Sequence, residues 1–321
     1  MYKGKKIYVV YRAFYGDDFI EESLKSILPY ADKIFVFWTD RAFGKIHSVE
    51  YNNEIYKIPK KIDNIVDKIT DLKEEKIVLI KQYFSTNNNQ FTIMYNNIIV
   101  PKYGSSDILI MMEVDHVFRK DQIEMALDEF IEREYSQATT EQWEVWKGFN
   151  HCVPQLCDPP LPDLKEHIDK MGISISEFFS KYKIRSLKNP RFRLCSMFWN
   201  TEKIGLLPST HMHCNSSQYP LNRLSARTHN LGFAWSYKTN FWKHVISLGI
   251  ASKINDTAAN PNWFEEKWVT WHPTKNNTNL EQAVGFEWQI PKAVPYSIEE
   301  LPESIKSNLD KFISANYNEE L

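Results

Sequence analysis

The first 135 residues alternate between two hydrophobic periods, and this restricts the fold more than any other feature of the 321-residue chain. Four short, continuous apolar runs read as strands buried on both faces. They are Ile7-Tyr8-Val9-Val10-Tyr11, Ile34-Phe35-Val36-Phe37-Trp38, Ile77-Val78-Leu79-Ile80 and Ile108-Leu109-Ile110-Met111-Met112. Each is followed by apolar residues at helical spacing. Ile20, Leu24, Ile27 and Leu28 stop at Pro29, and Ile62, Ile65, Val66 and Ile69 form the second stripe. Phe91, Met94, Tyr95, Ile98 and Ile99 end at Pro101, and Ile123, Leu127, Phe130 and Ile131 complete the series. Strand and helix-length connection repeat four times, which predicts an α/β fold with a mostly parallel sheet flanked by helices. Such sheets bind ligands beyond the carboxyl ends of their strands, where the winding reverses. The residues to read are therefore Arg12, Asp40, Tyr83 and the run Glu113-Val114-Asp115.

The second half has another character. Nine of the ten tryptophans lie at or beyond position 143, and Pro154, Pro159, Pro160 and Pro162 mark an irregular loop. Strands are expected at 143–149, 191–199 and 231–237, with helices over 239–253 and 297–314. No linker divides the chain, so 1–321 reads as a single domain with an elaborated, aromatic-rich C-terminal half.

Charge and cysteine usage exclude several classes. Lys and Arg number 39 against 41 Asp and Glu, without the basic excess of a nucleic-acid binder, so no nucleic acid is expected as a partner. No apolar stretch reaches the roughly 20 residues of a membrane span. The run after the basic start ends at Arg12, short of the roughly 7–15 apolar residues of a secretory leader. Cys152, Cys157, Cys195 and Cys214 are unevenly spaced and form no disulfide framework. A cytoplasmic protein with buried thiols is expected.

The acidic strand end carries the strongest chemical signal. In extended backbone, Glu113 and Asp115 at i, i+2 point to one face. Two such carboxylates repel unless a positive charge lies between them, and a hard divalent cation bearing phosphate oxygens meets that need. A turn or helix-capping role is the alternative for each acid.

Taken in order, these pieces resemble the GT-A glycosyltransferases, in particular the family-two-like nucleotide-sugar enzymes. The pieces are the opening strand and the helix Phe19-Ile20-Glu21-Glu22-Ser23-Leu24-Lys25-Ser26-Ile27, the strand end Thr39-Asp40, the helix bearing Asn96-Asn97, and Glu113-Val114-Asp115. The resemblance covers residues 5–135 well and the remainder weakly, and Glu113 stands where Asp is more frequent. It implies a GT-A, Rossmann-like fold with a nucleotide-sugar-binding half, 1–135, and an acceptor-binding half, 136–321. It further implies transfer of a sugar from a nucleoside diphosphate to a glycan or lipid-linked saccharide, with Mn2+ or Mg2+ as cofactor and possible peripheral membrane association. Asp115, with Glu113, would hold the metal. Tyr11, Arg12, Asp40 and Glu113 would line the nucleotide-sugar pocket. In Thr228-His229-Asn230-Leu231-Gly232-Phe233-Ala234-Trp235-Ser236, His229 would be the third metal or phosphate contact, with His272 and the pair His211 and His213 as rivals. A Lys-bearing helix with Lys238 and Lys243 follows. An inverting enzyme needs a carboxylate base, for which Glu202 and Glu144 are candidates, and the tryptophans suit sugar stacking.

Three other readings are weaker. A zinc site from His211, His213 and Cys214 with Cys152 or Cys157 matches no strong spacing pattern. A nucleotidyltransferase would want a glycine-rich basic loop after the first strand, whereas Arg12-Ala13-Phe14-Tyr15-Gly16-Asp17-Asp18 has one glycine and two acids. A catalytically inactive carbohydrate-binding scaffold on the same fold is the remaining alternative.

Overall fold

The computed structural model describes residues 1–14, 17–41, 46–58, 64–84, 89–154, 162–181, 196–210, 216–254, 262–277, 280 and 293–319. Its first half follows the predicted alternation. Strand β1 (Ile7–Ala13) leads to α1 (Ile20–Ile27), then β2 (Lys33–Trp38). A hairpin of β3 (Ser48–Tyr51) and β4 (Glu54–Lys57) precedes α2 (Ile65–Asp71) and β5 (Ile77–Lys81). Helix α3 (90–103) leads to β6 (Ile108–Glu113), the short β7 (His116–Val117) and α4 (Lys120–Arg133).

The second half adds β8 (Gln137–Trp146), β9 (His151–Pro154), β10 (Met197–Asn200), β11 (Leu221–Phe233) and β12 (Val294–Pro295). Its helices include α5 (Pro162–Lys170), α6 (Ile175–Lys181), the long α7 (Tyr237–Ile254) and α8 (Leu309–Tyr317).

The predicted sheet is parallel only in part. β5, β2, β1 and β6 pair side by side in parallel. Beyond β6 the sheet continues through β10, β8, β9 and β12 in antiparallel pairs, and β11 joins β8 in parallel and β7 antiparallel. The sheet is mixed because β10, β9 and β12 run antiparallel to the strands they pair with.

Of the parallel strands, β1, β2 and β6 are buried on both faces, as continuous apolar runs require, whereas the edge strand β5 is only half-buried. Ile7, Val9 and Tyr11, Ile34 and Val36, and Ile108, Ile110 and Met112 face α1 and α4. Tyr8 and Val10, Phe35 and Phe37, and Leu109 and Met111 face α3. A third core of Trp146, Phe241, Trp263, Phe264 and Trp268 joins the hairpin through Val49 and Tyr51 to α7. The hairpin turn at Asn52-Asn53 has both residues at positive φ, the backbone that matches strand twist in a two-residue loop.

Two helix ends differ from expectation. Helix α3 does not stop at Pro101. Its middle, Ile93–Ile99, is π-helical, and the widened turn admits the proline ring where an α-helical turn would clash with the carbonyl four residues back. The helix expected over 297–314 is broken instead, because Leu301 is extended before Pro302 and α8 begins only at Leu309.

Candidate active site

The chain winds outward from β1 through β2 and β5, then returns across β1 to β6. The winding therefore reverses between β1 and β6, and register sets Arg12 opposite Glu113 at the carboxyl ends of both strands. Their side chains form an ion pair, Nε to Oε1 at 2.7 Å and Nη2 to Oε1 at 2.5 Å. Phe91, at the start of α3, lies under the guanidinium with its ring centre 5.4 Å away.

The backbone turns immediately after Glu113, so the strand period ends there. Four hydrogen bonds hold the turn. The Glu113 amide donates to His116 Nδ1 at 3.3 Å, and Ser23 Oγ donates to the His116 carbonyl at 2.5 Å. Tyr11 Oη lies 3.0 Å from Ser23 Oγ, and the Leu231 amide donates to the Asp115 carbonyl at 2.9 Å. Burial is the main force lowering the His116 pKa, and Nδ1 serves as the acceptor of the Glu113 amide.

The turn sets Asp115 beside the end of β11. Asp115 is buried, and its carboxylate faces Lys243 from α7 at 3.5 Å. The ammonium also lies 3.5 Å above the centre of the buried Trp235 ring. Gly232 forms the floor. A Cβ there would come within 2.8 Å of Asn230 Oδ1, 3.1 Å of Asp115 Oδ2 and 3.3 Å of Lys243 Nζ. Asn230 is held in turn, its Oδ1 accepting from the Gly232 amide at 2.7 Å. Helix α7 is fixed at its start by Asp18, which accepts from the amide and hydroxyl of Ser236, both at 3.1 Å. Burial raises the Asp18 pKa from its ordinary value.

Strand alternation sorts the remaining expectations. Asn230 pairs in register with Glu144 on parallel β8, so both side chains share the Asp115 side of the sheet. Glu144 is buried and accepts from Gln142 Nε2 at 2.8 Å. His229 lies on the opposite side, fully buried, with Nε2 2.8 Å from Tyr296 Oη. Burial, assisted by Arg227 and Arg119, drives its pKa well below the ordinary imidazole value. The structure thus does not bring His229 to Asp115.

Tyr11 and Glu202 also lie elsewhere, whereas Asp40 stands where it was expected. Tyr11 is wholly buried against Ser23 and the Met112 sulfur, because it alternates with Arg12 and points into the core. Glu202 pairs with Lys5, and its amide donates to the carbonyl of Asp107, which precedes β6. That is the amino end of the sheet, roughly 17 Å along β6 from Glu113. Asp40 stands at the carboxyl end of β2 and pairs with Lys81 at 2.7 Å. His272 bonds within its own turn, to Thr274 Oγ1 at 3.0 Å.

Trp143, Trp146, Trp199, Trp235, Trp263 and Trp268 are core residues rather than a stacking platform. Trp271, edge-on to His151 at 5.0 Å, is partly exposed. Cys152 is a buried free thiol, as expected. His211, His213, Cys214, Cys157 and Cys195 lie outside the described residues.

The residues present do not fit the divalent cation that the resemblance implies. Glu113 and Asp115 each hold their own side-chain cation, and His229 is committed to Tyr296. Among the described residues, no group of three His, Cys, Asp or Glu is placed to hold a metal ion. Sequence reasoning missed the grouping of Asn230, Gly232 and Lys243 around Asp115. A glycine inside a strand was the available signal, since it marks close approach.

No family model and no curated protein matches the chain. Among solved structures it is similar to S. aureus TarS 1–349, at 11% identity over 81% of this chain and 69% of that one, with a TM-score of 0.39. It is similar to GalNAc-T7 with UDP, GalNAc and Mn2+, at 9% identity, 77% and 48% coverage and a TM-score of 0.39. It is also similar to glucosyl-3-phosphoglycerate synthase from Mycobacterium tuberculosis with Mn2+, UDP and glucosyl-3-phosphoglycerate, at 12% identity, 43% and 44% coverage and a TM-score of 0.29. The chain spans less than half the length of the last two. Among the described residues, no helix is long and apolar enough to cross a membrane.

Proposed function

We propose that the chain is a GT-A-type glycosyltransferase whose nucleoside-diphosphate sugar lies in the crevice at the carboxyl ends of β1 and β6. One observation carries the reading: two ion pairs, Arg12 with Glu113 and Lys243 with Asp115, stand at the point where the sheet winding reverses. Residues 1–135 supply Arg12, Glu113 and Asp115 to the donor, and 136–321 close the crevice with Asn230, Gly232 and Lys243. Glycosyl transfer needs cations aimed at the departing diphosphate, where negative charge develops. Arg12 on β1 and Lys243 on α7 are the two cations that would serve.

The transition state has oxocarbenium character, and an inverting reaction takes the acceptor proton onto a carboxylate. Glu144, on the Asn230 side of the sheet, is the base we assign, and the acceptor is a glycan or lipid-linked saccharide. Trp271 offers that acceptor a partly exposed aromatic face.

A panel of nucleotide sugars, scored for thermal stabilisation and for hydrolysis, tests the reading. One nucleoside diphosphate sugar should raise the midpoint by mass action and be turned over. A panel in which none stabilises and none is hydrolysed would favour a non-catalytic scaffold.

A further inference from the structure

We infer that Lys243, together with Arg12, is what meets the donor's diphosphate, and that charge balance at this crevice does not depend on a divalent cation. The inference rests on the donor reading above and adds the identity of the neutralising group. It starts from the charge count. Two carboxylates and two side-chain cations face the crevice, each acid already joined to its own base. A divalent ion at Asp115 would have to displace an ammonium held from two sides, by the carboxylate at 3.5 Å and by the Trp235 ring at 3.5 Å. The other oxygen beside it, Asn230 Oδ1, accepts from the Gly232 amide. The histidine that would complete a ligand set is on the far face of β11, against Tyr296.

Lys243 has the attributes of a reversible phosphate contact. Its backbone is anchored, because the 18-residue α7 is tied at its start to Asp18. Its side chain is not enclosed, with 39% of it exposed. A lysine is a compact charge on a flexible stem, able to exchange one anion for another without moving its helix. A Cβ on Gly232 would lie 3.3 Å from Nζ, so the glycine keeps open the space beside the ammonium. Phosphate oxygens entering the crevice compete with Asp115 for the ammonium, while Arg12, stacked on Phe91, stays with Glu113 as the fixed positive edge.

The test is calorimetric titration of uridine and guanosine diphosphates into the wild-type chain, Lys243→Met and Lys243→Arg, each in EDTA and each with Mn2+. The expected result is binding of one nucleotide by the wild type in EDTA, with Mn2+ changing the affinity by less than about threefold. Lys243→Met should weaken binding in EDTA by about tenfold or more, and Lys243→Arg should retain most of it. Binding by the wild type only when Mn2+ is present would overturn the inference and leave the donor reading standing. So would equal binding in EDTA by the wild type and Lys243→Met. Absence of nucleotide binding with and without Mn2+ would overturn the donor reading, and this inference with it. The wild-type comparison needs no variant, so a misfolded substitution does not blunt the test.

Discussion

Arg12 and Glu113 face each other in register across neighbouring parallel strands, joined at 2.5–2.7 Å where the sheet reverses its winding. The pair is partly open to solvent, so its contribution to stability is small, about 1 kcal/mol or less. Replacing Arg12 by Met should therefore shift the denaturation midpoint only slightly. It should weaken nucleotide-sugar binding by about tenfold or more, because the fixed cation of the crevice is gone. Measuring both quantities on one preparation separates a binding role from a structural one.

Gly232 and Gly205 make a matched comparison. An Ala side chain at Gly232 meets Asn230, Asp115 and Lys243 within 3.3 Å, whereas at Gly205 nothing lies within 4 Å but φ is +73°. Gly232→Ala should cut donor turnover by about tenfold or more by pushing the Asp115 pair apart. Gly205→Ala should cost about 1 kcal/mol of stability through backbone strain and leave turnover unchanged. Turnover assays with urea denaturation curves distinguish the two patterns.

Glu144 and Glu202 lie at opposite ends of the sheet, and exchange for Gln keeps the shape of each. Glu144→Gln should lower kcat by about 100-fold or more if the acceptor proton goes there. Glu202→Gln should leave kcat within about twofold, since its partner is Lys5 on the far edge. Similar losses in both would remove Glu144 from the reaction.

Lys147 supplies a pH signature. Its ammonium donates to the Val269 and Trp268 carbonyls at 2.8 and 3.2 Å and lies 4.6 Å from the centres of the Trp268 and Tyr317 rings. Burial pushes its pKa down to about 8. Below that pH both folded and unfolded chains hold the proton, whereas from about 8 to about 10.4 only the unfolded chain does. The unfolded state then binds more protons, so this residue makes stability rise with pH across that window. The unfolding free energy of the wild type minus that of Lys147→Met should increase by on the order of 2 kcal/mol between pH 7.5 and 10. A flat difference would mean that the folded lysine keeps its ordinary pKa.

The parallel half was legible because its strands are continuous apolar runs with no competing period. β8 and β11 were not, because they bury Gln137, Thr139, Thr140, Glu141, Gln142 and Glu144, and Arg227, Thr228 and His229. A strand that satisfies its polar side chains by hydrogen bonds has no hydrophobic alternation to read. Two site assignments failed on parity. Tyr11 and Arg12 alternate, so only one can face the crevice, and the same holds for His229 and Asn230. The i, i+2 argument for Glu113 and Asp115 required extended backbone, and the chain turns between them. The contact of Lys243 with Asp115 spans 128 residues of sequence and has no local signal.

The most direct measurement is nucleotide-sugar hydrolysis by the wild type and Lys243→Met, which keeps an unbranched side chain and removes the charge. The account predicts that one sugar nucleotide is turned over by the wild type and that the rate falls by about tenfold or more in the variant, with the unfolding midpoint little changed. Hydrolysis by Lys243→Met within less than about tenfold of the wild type would contradict it, because the ammonium would then contribute little to the departing diphosphate.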